Sequence, residues 1–370
     1  MQGSGKPLRG RLASICWLGA WSTHYAEAAR PSHRQPRAIS VYLFAWLTYL
    51  ADLKRLQRPT TATAMVDTMP THAITLEILP AGYGDCLLIS CPLGRRTWRM
   101  LIDTGPDETY PALKDRLAKL RSNQHGKRHI DLFIVSHIDH DHIGGAAQLL
   151  NDQSLGLTFG DIWFNAPPQP AARGVAEGES LAKILGANDT PLPWNKAFGG
   201  KNVVVGGDGE FAELAGARGT PRITLLSPTR SRLKSLYRVW DKELARLRNK
   251  ERDVPGPVEP VPRDMSSLDI KALAAKITAT DSSTANGSSI AMLLEHRGAS
   301  VLLSADAFPT VLMPALQALA RQRKQPGGMA LDAIKLSHHG SRANVTNELL
   351  KTVRADHYIV STNGAIFSHP

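Results

Sequence analysis

SHIDHDHIGG, residues 136–145, packs three histidines and two aspartates into the six positions 137–142, directly after the apolar run 130–135. Such a cluster is a poor buried core by itself, because uncompensated carboxylates are costly to desolvate. Imidazole nitrogens and carboxylates two or three residues apart on a tight loop can instead converge on one or two divalent cations. Gly144 and Gly145 let that loop bend and let backbone approach closely. The stretch therefore predicts a strand that runs into a metal-binding turn and then into a helix.

Working outward, short β-branched and leucine-rich runs at 73–79, 86–90, 99–102 and 130–135 read as strands, with Gly84 and Gly94 marking turns. Between the third and fourth, Leu113, Leu117 and Leu120 recur at helical spacing and predict a helix over 109–121. After the His/Asp run the pattern predicts a helix over 143–150, mixed segments to about 200, strands at 201–205 and 222–226, and a long basic helix from Arg230 to Arg252. The stretch DVPGPVEPVPRD at 253–264 breaks regularity, so 229–285 reads as an insertion or lid. Strands at 289–295, 301–304, 333–336 and 357–361 and helices at 310–321 and 345–353 then predict a layered α/β fold.

Residues 1–70 lack this period and read as a disordered extension or a start-site artefact, Met65 and Met69 standing just before the first convincing strand. Their apolar run, 39–51, is 13 residues long, short of the roughly 20 that span a bilayer. No membrane span is expected. Cys16, Cys86 and Cys91 form neither an even set nor a CxxC pair, which argues against a disulfide framework and a thiolate zinc knuckle and for a cytoplasmic location. Of the net charge of +11, residues 1–70 supply +6, from nine Lys/Arg against three acids. In the remainder, 230–252 carries nine Lys/Arg against Asp241, Glu243 and Glu251, and a second basic run spans 114–128. Basic stripes of this kind concentrate polyanions, which makes a nucleic acid or small phosphodiester a candidate substrate, although a solvated helix face is the plainer and favoured reading of such runs.

HIDHDH resembles the HxHxDH motif of the metallo-β-lactamase superfamily, departing from it at Asp139. The HxDxDH variant, preceded by Ser136 and followed by IGG, is similar to the domain attached to DNA-uptake channel proteins of the ComEC type and to its stand-alone relatives. Further resemblances follow in order: AGYGD (81–85), LIDTG (101–105), NGSS (286–289), SAD (304–306), KLSHHGS (335–341) and the terminal SHP (368–370). The resemblance implies an α/β fold, a four-layer αββα sandwich over 72–370, and a metal-dependent hydrolase holding two ions, Zn²⁺ or Mn²⁺. His137 and Asp139 would hold one ion, Asp141 and His142 the other, with Asp306 bridging and His369 as last ligand. Asp103 would orient the ligand loop, and His338 or His339 would serve as general acid or phosphate contact. Carboxylate in place of imidazole at Asp139 hardens the site and lets Mn²⁺ compete. The family's third-motif histidine lacks a counterpart other than His296, read here as a surface turn residue, so one metal position is expected to be weak, oxygen-rich, or filled by one of His338 and His339. Hydroxide generated at such ions attacks phosphodiesters, carboxylic esters and amides alike. Three readings follow: a phosphodiesterase or nuclease, a lactonase or β-lactamase-like hydrolase, and a metal-poor binding module.

Overall fold

The computed structural model describes residues 39–43, 73–167, 177–187, 191–240, 242 and 281–363. One mixed sheet contains, in spatial as in chain order, Ile39–Leu43 (β1), Ile74–Ile78 (β2), Leu87–Leu93 (β3), Arg96–Ile102 (β4), Arg128–Ile134 (β5) and Leu157–Trp163 (β6). The other contains Ala212–Leu214 (β7), Arg222–Ser227 (β8), Ala291–His296 (β9), Ala299–Leu303 (β10), Met329–Lys335 (β11) and Val353–Ile359 (β12), again each beside its chain neighbour. Hairpins join antiparallel pairs β3–β4 and β9–β10, whereas β4–β5, β5–β6, β10–β11 and β11–β12 are parallel and need crossovers. Helices supply or flank them: Tyr110–Ala118 (α1), His140–Ile143 (α2), Ala146–Asn151 (α3), Glu177–Leu185 (α4), Arg230–Arg238 (α5), Pro309–Gln322 (α6) and Asn347–Thr352 (α7).

Alternation along the strands sorts the apolar side chains into three interfaces. On β3 and β10, Ile89, Val301 and Leu303 point between the sheets, while Leu88 and Leu302 point outward to helices. Ile89, Met100, Leu132 and Ile134 thus meet Leu225, Met292 and Leu294 between the sheets. Leu88, Leu101 and Phe133 pack on Leu113, Leu117, Leu149 and Leu233, and Leu293, Leu302 and Ile334 pack on Leu312, Leu316 and Leu349. Strands apolar on both faces require a layer on each side, and each such buried side chain contributes roughly 1.5–3 kcal/mol. The result is the four-layer αββα sandwich.

Within the segment that the sequence sets apart as an extension, Ile39–Leu43 pairs parallel with β2 as the edge strand. Within 229–285, Leu233, Leu236 and Trp240 pack into the helix-facing core of the first sheet, so this part of the segment lies on the sandwich; residues 243–280 are outside the described residues. The expected strand at 201–205 forms only the isolated bridge Val205–Thr229. Asn165 explains this: its side chain donates to Val203 O (2.9 Å) and accepts from Val203 N (2.8 Å), so a side chain satisfies the backbone that a ladder would. The helix expected over 143–150 breaks into α2 and α3 at Gly144, where a Cβ would lie 2.5 Å from Asp107 N. Strand β6 is hidden in the sequence by Gly160 and Asp161.

Candidate metal centre

The carboxyl ends of parallel strands from both sheets meet at one edge of the sandwich. Asp103 follows β4, Ser136 to His142 follow β5, Asp306 follows β10 and the turn Ser337–Gly340 follows β11. Four of the seven non-glycine residues with positive φ among the described residues lie here: Asp103, Ala305, His338 and His339. Left-handed backbone costs about 1–3 kcal/mol at such residues and persists where surrounding contacts over-determine it. Here it turns each strand end so that side chains face one another.

Asp103 is fully buried and accepts from Ser136 N (2.7 Å) and Ser136 Oγ (2.7 Å) and from His142 Nδ1 (2.8 Å). That bond leaves His142 Nε2 facing inward, 3.3 Å from His339 Nε2, 3.4 Å from Asp306 Oδ1 and 3.6 Å from Asp141 Oδ2. His339 Nε2 lies 3.0 Å from Asp141 Oδ2 and 3.8 Å from Asp306 Oδ2, while its Nδ1 donates to Ser361 O (2.8 Å). On the other side His137 Nε2 stands 3.9 Å from both Asp139 Oδ2 and Asp306 Oδ2. Two donor atoms sharing a tetrahedral zinc at about 2.0–2.1 Å are about 3.3–3.5 Å apart, so these spacings suit atoms held by common cations. A second observation agrees. His137 Nε2 and Asp306 Oδ1 are buried without any hydrogen-bond partner, an expensive arrangement for a protein that binds nothing there.

His338 behaves differently from its neighbour. Its side chain is 29% exposed, its Nδ1 lies 2.9 Å from Asn344 Oδ1 and 3.2 Å from Asp281 Oδ2, and its Nε2 is 3.8 Å from Asp306 Oδ2. Asp281 is itself fixed by Asn286 Nδ2 (2.8 Å), Asn344 Nδ2 (3.0 Å) and Ser283 N (2.9 Å). Beside this cluster, the Phe308 ring packs where Gly287 leaves room, a Cβ there meeting the ring at 2.9 Å. The Arg232 guanidinium of α5 sits 5.0 Å above that ring, without an ion pair to a carboxylate among the described residues.

Burial and charge oppose each other across the centre. Burial lowers the pKa of His339, but Asp306, Asp85 and Asp141 outweigh it and hold the imidazole up at about 10. His142 is likewise raised well above its ordinary value by Asp306, Asp141 and Asp103 against its burial. Burial raises Asp141, yet His142 and His339 bring it down to about 2, and Asp306 is held well below the carboxylate range in the same way. His137, with burial and His142 acting together, falls to about 4, and His338 rises to about 8 through Asp281 and Asp306 despite burial. Imidazoles and carboxylates thus shift one another in opposite directions across a carboxylate-rich centre.

Of the residues singled out in the sequence, His137, Asp141, His142, Asp306 and His339 converge, Asp139 lies at the rim beside His137, Asp103 stands behind, and His338 lines the open side. His369 lies outside the described residues. His140 turns away toward Asp107 (3.4 Å) and Glu108 (3.6 Å). His296 is not a surface turn residue: it is the last residue of β9, 6% exposed, with Nε2 donating to Pro92 O (2.9 Å). The register pairs His296 with Ala299, so the two-residue loop is Arg297-Gly298, both at positive φ. It lies a strand's length away from Asp306, which follows the far end of β10. Asp281, Asn344, Arg232 and Lys335 are site residues that the sequence does not single out; Asn286 of the NGSS motif and His338 of KLSHHGS are the marked residues that touch the Asp281 cluster.

A family model described as the metallo-beta-lactamase superfamily matches residues 80–364. No curated protein matches the chain. Among solved structures, the short form of human tRNase Z is 10% identical, covering 78% of this chain and 92% of its own, with a TM-score of 0.40. The metallo-beta-lactamase fold protein YhfI from Bacillus subtilis is 14% identical, covering 78% and 96%, at 0.33. The MIM-2 metallo-beta-lactamase is 13% identical, covering 73% and 83%, at 0.28.

Proposed function

The chain belongs to the metallo-beta-lactamase superfamily, and on that premise we propose that it is a two-cation hydrolase of phosphodiesters, with a nucleic acid or a small phosphodiester as substrate. In this reading His137, Asp139 and Asp306 would hold one cation, and Asp141, His142, His339 and Asp306 the other. His339 thereby fills the ligand position for which the sequence offers no third-motif histidine, and leaves the catalytic role to His338. The HxDxDH variant keeps the ComEC-type domain as the finer placement, and Zn²⁺ and Mn²⁺ both suit the mixed imidazole–carboxylate donors.

When bound, two divalent cations supply a nucleophile from water at neutral pH and neutralise charge on the oxygens of the reacting group. The protein does the rest. Asp103 fixes the ring of His142 so that Nε2 faces the centre. Asp281 and Asn344 hold His338 by its Nδ1 and leave Nε2 on the open side, where it can donate a proton to a leaving oxygen.

The observation that carries the choice of phosphodiester is the Arg232 guanidinium over the Phe308 ring, which packs on Gly287 beside Asn286, itself a neighbour of His338. Arg232 is a half-buried guanidinium stacked on Phe308, two residues beyond Asp306. Arg230, Lys234 and Arg238 extend the charge along the exposed face of α5, whose Leu233 and Leu236 anchor it to the core. Arginine in such a position suits a phosphate oxygen. The test is a panel of bis(p-nitrophenyl) phosphate, single- and double-stranded DNA, RNA, a lactone and a β-lactam, with Zn²⁺ or Mn²⁺. Diester cleavage that weakens with salt and disappears in Asp141→Ala is expected. Lactone or lactam turnover without diester cleavage assigns the ester and amide reading instead, and no turnover above Asp141→Ala assigns a binding module.

A further inference from the structure

Two sequence motifs are not consumed by the ligand set: the turn Ala81 to Asp85, and Lys335 at the end of β11. Their side chains meet. Lys335 is fully buried and its Nζ donates to Asp85 Oδ2, also buried, 250 residues away in the chain. Asp85 Oδ1 lies 3.3 Å from His339 Nδ1 and has no other partner. Through its backbone the same residue grips another element of the centre: Asp85 N donates to Asp141 O (3.0 Å), and Gly105 N donates to Asp85 O (2.8 Å). Gly84 makes that approach possible, since a Cβ there would lie 1.9 Å from Asp141 O. Ser361, whose carbonyl accepts from His339 Nδ1, ties its own Oγ to Gly84 O (2.8 Å).

Asp85, His142 and His339 also lie close enough to resemble a cation site of their own. The directions of their atoms argue otherwise. His142 Nδ1 is engaged by Asp103, His339 Nδ1 by Ser361 O, and Asp85 Oδ2 by Lys335. The Lys335 ammonium already neutralises the one carboxylate of that group. Charge points the same way. Asp85, Asp103, Asp139, Asp141 and Asp306 bring five carboxylates to this edge of the sandwich, and two divalent cations with one ammonium balance them.

We propose that the Asp85–Lys335 ion pair is a positioning element for the second cation position: the buried ammonium partners Asp85 and so fixes the imidazole of His339 and the loop of Asp141. The inference rests on the two-cation reading given above. Neither residue is a ligand. A buried pair of this kind is weak evidence for stability, because well-packed apolar substitutes often serve the fold equally well. A positioning role predicts that metal binding suffers where folding does not.

The experiment is a Co²⁺ titration of the metal-free full chain, read by visible absorption, alongside thermal melts in chelator. Wild type, Lys335→Met and the double variant Asp85→Asn/Lys335→Met are compared. Lys335→Met leaves a buried charge unpaired and can fail to fold; the double variant buries none and carries the test in that event. We expect the double variant to melt within a few degrees of wild type, to bind one Co²⁺ as wild type does, and to bind the second at least about tenfold more weakly, the scale on which outer-shell partners act. A folded double variant binding two ions with wild-type affinity overturns the inference alone, and a double variant unable to fold overturns it by placing the pair's role in the fold. A wild-type chain binding fewer than two ions overturns the two-cation reading and this inference with it.

Discussion

Replacing Asp103 by asparagine changes few atoms and one pattern of donors. The carboxylate accepts three hydrogen bonds, from Ser136 N, Ser136 Oγ and His142 Nδ1, at 2.7, 2.7 and 2.8 Å. An amide oxygen turned toward Ser136 N keeps the first, and the Ser136 hydroxyl can rotate to accept from the amide. His142 Nδ1 then faces an N–H donor and must become the acceptor itself. The ring proton moves to Nε2, the atom that lies 3.4 Å from Asp306 Oδ1 and 3.6 Å from Asp141 Oδ2, and a protonated nitrogen cannot bind a cation. Asp103→Asn should therefore weaken metal binding by about 10–100-fold, equivalent to ~1.4–2.8 kcal/mol, with a smaller loss of stability in the metal-free chain. Zn²⁺ competition against a chromophoric chelator measures the first effect and a melt in chelator the second. Wild-type affinity in a folded Asp103→Asn chain would refute the tautomer argument.

Metal uptake at pH 7 should release protons, because in the metal-free chain His142 and His339 hold them, the latter with a pKa of about 10, and ligation needs neutral imidazole; calorimetry in buffers of different ionisation enthalpy should show a release that shrinks above pH 10. By the same linkage the raised pKa of His339 stabilises the metal-free fold below its unfolded value of about 6.5, and that contribution is lost as pH rises toward 10. Melting temperatures in chelator should fall over that window, and a flat profile contradicts the assignment. Arg232→Ala should raise KM for a diester about tenfold at low salt, from the ~1.5 kcal/mol of a hydrogen bond to a charged group, with kcat little changed; steady-state kinetics showing the loss in kcat instead would remove Arg232 from substrate binding. Gly84→Ala drives a Cβ to 1.9 Å from Asp141 O and should destabilise the chain by about 1–3 kcal/mol, read by urea unfolding, with an unchanged midpoint contradicting the close approach.

Strands apolar on both faces made a layered α/β fold legible in local pattern, while the four-layer sandwich came from the ordered motifs' resemblance to the superfamily. Asp103 and Asp306 were marked through the motifs LIDTG and SAD that resemble the superfamily's, and in the structure each follows a strongly apolar strand. What sequence could not divide was His338 from His339. Adjacent residues with φ of 49° and 53° send their rings 5.9 Å apart, one into the centre and one toward the open side, and only tertiary contacts select such backbone. Asp281 went unmarked because Asn344 and His338 reach it from distant parts of the chain, and the nearby Asn286 carried no sign in the sequence of pairing with it. His296 was misread because a hairpin register, which decides turn against strand, is set by pairing across the sheet.

Anomalous scattering at the metal edge, from crystals of the full chain grown with Zn²⁺ or Mn²⁺, tests the central claim most directly. Two peaks roughly 3.5–4 Å apart are expected. One should be within ligand distance of His137 Nε2, the other of His142 Nε2, His339 Nε2 and Asp141, with the Asp306 carboxylate between them. A chain saturated with metal that shows no peak there, or a single peak ligated by Asp85 in place of Asp306, would contradict it.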